Sequence, residues 1–356
     1  MFLLVFVHGY NLELRYLEAF TVPNEPLTPT GFVEYFLANG IFRFRIPMLF
    51  AISGYLFALH DDQPPGQRVK KRLKTLLAPY LLWSAFGIGM TYALELIPFT
   101  HEMIADSHVV QIDNTRILIH DYYWYEILAR WIVFPVSYQL WFIRVLLIYN
   151  LAYPLILRWV TGKRSQRIFF PIVFLLWLST MGFIFLEGEG LLFFSIGVLL
   201  QKRNFSLDNP TEWLNPAIWG IVFVICAAAK TWLAFAGQPL IGNWVFIALI
   251  LLHKTTVVSG LIACWFGMDP VVRWFMNRNW FVWLSSFSFM IYAMHAPFVA
   301  YFISPVIEAL QPMAAARLAA FVILPLAIIT VCVIVGWLLR TLASKAYGLL
   351  TGGRGM

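Results

Sequence analysis

Polar residues in this chain come in short bursts between long apolar runs, and the runs set its architecture. Windows of about 20 apolar residues, enough for a helix to cross a hydrocarbon core, recur from end to end. They predict spans over residues 1–10, 32–59, 75–97, 138–159, 168–186, 189–201, 213–235, 244–266, 280–303 and 317–339. The predicted fold class is all-α, a polytopic transmembrane helical bundle of about ten spans forming a single domain over 1–356. The first span is short: "MFLLVFV" offers seven residues before His8, about 10 Å of helix. It lacks the basic region and cleavage pattern of a secretory signal. The expectation is a truncated first span with an upstream apolar segment missing, in preference to a helix that dips part-way into the bilayer. The longest polar interval, 99–137, is too short for a separate domain. Its aromatic cluster "YYWYEI" predicts a helix lying at the membrane interface. Pro47, Pro297 and Pro325 fall inside spans, where they free backbone carbonyls that neighbours must satisfy.

Composition agrees with the pattern and removes other classes. The 356 residues are 61% hydrophobic and 12% charged, against roughly 25% charged in soluble domains, which is too little polar surface for a water-soluble globule. A formal net charge of +7 raises the question of nucleic acid, and its distribution answers it. Loops 60–74, 158–167, 202–212, 267–279 and the stretch from Arg340 hold sixteen of the 25 Lys and Arg. The alternate loops hold five, Arg15, Arg116, Arg130, Lys230 and Arg317, and collect acids such as Glu13, Glu102, Asp113, Glu187 and Glu189. The positive-inside rule makes the basic loops cytoplasmic in a multi-pass protein of the plasma (inner) membrane. The partner is therefore a lipid bilayer and not nucleic acid. Cys226, Cys264 and Cys332 are isolated in apolar spans, so neither a disulfide framework nor a metal site is predicted.

Charge also occurs where lipid should be. "RFRIPMLFAISGYLF", residues 43–57, places two arginines in an otherwise apolar run, and His8, Arg144, His253, Lys254 and His295 complete the intramembrane set. A mid-span Arg or Lys costs roughly 2.5–3.5 kcal/mol even on insertion-based scales, so these residues must face a cavity, a partner or an anion. Depth counting puts His8, Arg43, Arg45, Arg144 and His295 in the outer half of the bundle. Arg43 and Arg45 are two apart and cannot share a helix face; one points inward and the other snorkels or pairs, with Glu34 the nearest acid in sequence. Arg144 shares a face with Trp141 and Ile148. Bland readings stand beside these: a satisfied core histidine for His8, an interhelix partner for Arg144, a bonded helix terminus for His295, and a topology signal for the basic run 68–74. A small-solute transporter or exporter using the Arg/His residues as a path is the alternative function, without an inverted repeat to support it.

Five stretches, in order, resemble the acyltransferase 3 family of integral-membrane O-acyltransferases: the early intramembrane His8, "RFRIPMLFAISGY", "RVKKRLKTLLAPYLLW", "QLWFIRVLLIY" and "FSFMIYAMHAPF". The similarity runs from His8 to roughly Leu338. The basic residue that the family usually carries before its first-helix His would precede Met1. The resemblance implies an acyltransferase that moves an acyl group, acetyl in the first instance, from cytoplasmic acyl-CoA to a hydroxyl of a cell-surface sugar, glycan or glycolipid. It implies acyl-CoA, with acetyl-CoA the expected form, as co-substrate, and no metal. Within it His8 is the general base, since neutral imidazole suits proton removal at pH 7. Arg45 and Arg144 complete the catalytic set by stabilising the thioester oxyanion or holding phosphates. Arg43, Asn11, Ser53, Trp141 and His295 are the implied substrate-lining residues, and Arg68, Lys71 and Arg72 the implied contacts to the donor. Ser53 and Gly54 would let their helix pack closely beside the site. His253 and Lys254 remain unassigned, and the acyl group, acceptor and oligomeric state are open.

Overall fold

The computed structural model describes residues 1–10, 18–206, 211–311, 313 and 315–356. Asn11, Glu13 and Arg15 lie outside the described residues. In chain order the helices are α1 (Phe2–His8), α2 (Pro29–Leu59), α3 (Gly66–Glu95), α4 (Pro98–Ser107) and α5 (Trp124–Ile132). They continue with α6 (Tyr138–Leu151), α7 (Tyr153–Thr161), α8 (Lys163–Leu178), α9 (Gly188–Lys202), α10 (Pro216–Ile241) and α11 (Trp244–Gly267). Asp269–Met276 (α12), Asn279–Ser285 (α13), Ser288–Leu310 (α14), Ala316–Leu342 (α15) and Ser344–Thr351 (α16) complete the described set.

Six of these, α2, α3, α10, α11, α14 and α15, are long and apolar enough to cross a membrane; α6 and α7, bent by 67°, make a seventh if taken together. The chain is thus an all-α polytopic membrane protein with fewer full-length spans than the ten expected. The shortfall is one of length. α1, α8 and α9 have 7, 16 and 15 residues, and at 1.5 Å per residue even 16 residues give about 24 Å against a core of about 30 Å. The first turn of α8 is the charged "KRSQR", which shortens its apolar length further.

The helices form two compact units: Met1–Asn11, Lys71–Arg144 and Asn279–Met356 in the first, Leu12–Lys70 and Val145–Arg278 in the second. In the first unit α1 packs against α14 and α15, with Val5 fully buried and Gly9 too close to Pro325 for a larger side chain without adjustment. α5 departs from expectation. Instead of lying flat it runs along α3: Ile119 and His120 donate their backbone N–H to Glu95, whereas the carbonyls of Trp131 and Ile132 meet Ser84 and Tyr80. The level of Tyr80 lies about 22 Å along α3 from Glu95. Four carbonyls at the end of a helix lack intrahelical partners, and here those of Arg130, Trp131, Ile132 and Val133 receive Ser84 Oγ, Tyr80 Oη and Arg144 Nη1.

In the second unit α2 and α9 approach backbone to backbone. A Cβ at Gly54 would drive into the Phe194 carbonyl and one at Gly197 into that of Ala51, the small-residue packing that membrane helices use. α2 itself is irregular: its α-helix gives way to a π turn over Phe36–Gly40 and a 3₁₀ turn over Ile41–Phe44 before resuming at Arg45. Outside the spans, Asp61 ties three segments by accepting from Tyr153 Oη at 2.6 Å and pairing with Lys202 at 2.6 Å. Burial alone would raise the Asp61 carboxyl, but the Lys202 ammonium and the Tyr153 hydroxyl together hold it below its ordinary value.

Candidate functional site

Within the first unit His8 and His295 come together. His8 closes α1, its ring centroid 4.9 Å from Tyr138 in an edge-to-face contact and 5.4 Å from His295. His295 is fully buried, and its Nδ1 lies 2.8 Å from the Ile291 carbonyl. A carbonyl can only accept, so the proton is on Nδ1 and Nε2 of the neutral ring carries the lone pair. The next residue, Ala296, leaves helical geometry (φ −107°, ψ 143°) ahead of Pro297. Proline has no N–H to give the carbonyl of Ala293. Gln139 supplies the missing donor, its Nε2 reaching the Ala293 carbonyl at 2.8 Å and that of Ala296 at 3.2 Å, while Tyr292 Oη donates to the Gln139 carbonyl at 2.5 Å. Gln139 opens the stretch "QLWFIRVLLIY", where nothing in the sequence assigns it a role. The only signal was Pro297, whose freed carbonyl required an unnamed neighbour.

Arg144 sits toward the Lys71–Arg72 end of α3. Its Nη1 donates to the Val133 carbonyl at the end of α5, and its charge acts on Tyr80, two residues into the α3 segment that begins at Ala78, nearer Lys71 and Arg72 than Glu95. Trp141 stands one turn earlier on α6, edge-on to Phe142 at 6.3 Å. Lys71 is exposed and Arg72 half-buried at the first unit's edge of α3.

The remaining predicted residues belong to the second unit. Arg43 Nε donates to Asn39 Oδ1 at 2.8 Å, and Arg45 Nη1 to the Phe42 carbonyl at 2.8 Å, so both serve the irregular stretch of α2. Ser53 is half-buried beside Gly54. The Arg68 guanidinium is stacked over Phe57 and Tyr153 at 5.7 and 5.3 Å, a cation–π arrangement. Lys230, counted with the loop charges in the sequence, is instead fully buried in α10, which runs on to Ile241. Its Nζ donates to the Asn39 carbonyl at 2.7 Å and sits 2.9 Å from His253 Nδ1. Lys254 lies 4.8 Å over the Trp177 ring, whose Nε1 donates to Glu189 at 3.1 Å. His253 and Lys254 are thus members of an interhelical polar network, which the sequence alone gave no partners for.

The sequence pattern described as "Acyltransferase domain" matches residues 1–338. The chain belongs to the acyltransferase 3 family. The family match takes in both units and every predicted site residue. Among curated proteins the chain is similar to "Succinoglycan biosynthesis protein ExoH" of Rhizobium meliloti (strain 1021), at 25% identity over 243 residues. That alignment covers 68% of this chain and 61% of the relative, so it leaves more than a third of the relative's length unmatched. No solved structure matches the chain.

Proposed function

We propose that this acyltransferase moves an acyl group, acetyl in the first instance, from acyl-CoA to a hydroxyl of an envelope polysaccharide or its glycolipid precursor. The observation that carries the reading is the His8–Tyr138–His295 constellation inside an apolar bundle. The polysaccharide acceptor is supported by the likeness to a succinoglycan biosynthesis protein. The basic loops face the cytoplasm of an inner-membrane protein in this proposal, and the donor enters from that side.

Neutral His8 takes the proton of the acceptor hydroxyl as its oxygen attacks the thioester carbonyl. The carbonyl π electrons move onto oxygen, and the tetrahedral intermediate collapses with loss of the C–S bond. The departing thiolate takes the proton back from His8, leaving an ester, a free thiol and a neutral imidazole. His295, with its lone pair fixed at Nε2 by the Ile291 carbonyl, accepts from an acceptor hydroxyl and orients it. Tyr138 fixes the plane of His8. Arg144 supplies positive charge on the approach while holding the end of α5. Arg68, Lys71 and Arg72 are the donor-phosphate candidates. Arg68 also stands over the Phe57 and Tyr153 rings.

The test uses purified protein in vesicles, acetyl-CoA and a defined oligosaccharide acceptor. His8→Ala lowers acyl transfer by ~10²–10⁴-fold, as expected for a lost general base, without loss of membrane insertion. Transfer at the parental rate sinks His8 as the base.

A further inference from the structure

We infer that the segment following α15 is part of the donor site, with Arg354 joining Arg72 to bind the phosphates of the acyl donor. The proposal rests on the acyl-CoA reading above and extends it to residues beyond the family match, which stops at 338.

The segment is built into the first unit. α16 turns back after Leu342, burying Tyr347 and Thr351 completely. Trp83 Nε1 donates to the Leu350 carbonyl at 2.9 Å. Arg340 donates to Ser286 Oγ at 2.8 Å and to the Gly355 carbonyl at 3.1 Å. Two glycines make the fit possible. Gly352 and Gly355 have φ of 63° and 73°, and a Cβ on either would collide with the carbonyl of Thr75 or Ser286. Backbone approach of this kind is glycine's use, and it delivers Arg354 to one place.

There Arg354 Nη1 donates to the carbonyls of Thr75 and Thr351, at 2.9 and 3.0 Å, and its guanidinium stands 4.9 Å from the Phe289 ring. Arg72 stands three residues before Thr75 on α3, so Arg354, bound at the Thr75 carbonyl, lies within a turn of it. No described carboxylate is ion-paired with Arg354. Two guanidinium groups held near each other repel, and an anion between them turns that cost into a binding site. The location suits the reaction. Phe289, Tyr292 and His295 follow one another along α14 as a row of neighbouring rings, with centroids 6.0 and 6.5 Å apart, and this row is the face meant here. Arg354 marks one end of that face, and His295, with His8 beside it, the other. Six residues of helix separate the two by about 9 Å. A donor whose phosphates rest at Arg354 and Arg72 lays its arm along this face with the thioester toward His8.

The experiment compares two donors with the full chain in vesicles: acetyl-CoA, and S-acetylpantetheine, which has the thioester and arm but neither nucleotide nor phosphate. Arg354→Gln is expected to raise KM for acetyl-CoA about tenfold, the scale of one charge-assisted hydrogen bond, with kcat and the KM for S-acetylpantetheine within twofold of parent. Gly355→Ala, which removes no charge but lifts the segment, gives the same selective rise. Arg354→Lys, the variant least able to disturb folding, gives a smaller one, since it keeps charge and loses the planar fork. Equal rises for both donors identify a tether without phosphate contact and overturn the proposal, as does an unchanged KM for acetyl-CoA. A parent protein that consumes neither thioester refutes the donor reading itself, and the tail assignment falls with it.

Discussion

His8 and His295 illustrate what a membrane interior demands of a polar side chain. Neither can be left to lipid, so each is held by protein: His8 by aromatic edges, His295 through a carbonyl that fixes its tautomer. Both were legible in the sequence because a histidine inside an apolar run is conspicuous. Gln139 was not, because its purpose is set by Pro297, more than 150 residues away in the chain. Replacing Gln139 by Leu leaves the Ala293 carbonyl without its donor and is expected to cost about 1–3 kcal/mol, read as a lowered midpoint in detergent thermal unfolding. Gln139→Glu should be no better, since a carboxylate cannot donate to that carbonyl. A midpoint equal to the parent's for Gln139→Leu would mean that the freed carbonyl finds another donor.

At the scale of elements, amphipathic and irregular segments carry more information than the straight spans. The aromatic run 122–125 predicted a helix lying at the bilayer surface, and α5 runs along α3 instead. Its direction depends on Ser84, Tyr80 and Arg144 receiving its last carbonyls, a tertiary arrangement that periodicity does not encode. Arg144→Leu removes the donor to Val133 and should destabilise the first unit by about 1–3 kcal/mol, whereas Arg144→Lys, still a donor and still cationic, recovers part of it; both are read by the same thermal melt. Close packing at Gly54 was expected beside the polar site, and the structure gives it a different partner, the Phe194 backbone of α9. Lys230 was counted with the acid-rich loops although it falls inside the predicted span 213–235; it is buried in α10, which runs on to Ile241. On the loop outside these helices, Asp61 gives a pH prediction. Its carboxyl is held below its ordinary value near 3.8, so the stability it contributes is fully present above about pH 4 and is lost as pH falls through the lowered value. Asp61→Asn should therefore melt earlier than the parent at pH 7 and approach the parent's melt below about pH 4. A difference that persists unchanged at acid pH would mean that the ion pair with Lys202 is not its source.

For the whole molecule the decisive quantity is orientation, since the proposed chemistry assigns the donor to one face. The Lys/Arg asymmetry of sixteen to five came from sequence alone. The structure sharpens it, because Lys230 leaves the acid-rich side for the interior of α10. The acid-rich side keeps a folded cap: Arg116 is held between Asp113 and Glu126, and that pairing depresses the exposed Asp113 carboxyl well below the usual carboxylate range. Single cysteines placed at 113 and at 163, in a chain whose Cys226, Cys264 and Cys332 are serine, separate the two faces. An impermeant maleimide added to intact cells is expected to label position 113 and to reach position 163 only after permeabilisation. A position beside 113, such as 115, guards against the loss of the Asp113–Arg116 pair altering exposure. Labelling of 163 from outside, with 113 and 115 protected, would reverse the protein in the membrane. Acyl-CoA is made and kept in the cytoplasm, so that outcome would place Arg72 and Arg354 on the face the donor never reaches. The phosphate site would then have to be sought at the other end of α14, around Tyr301 and Thr91, whose hydroxyls meet at 3.0 Å.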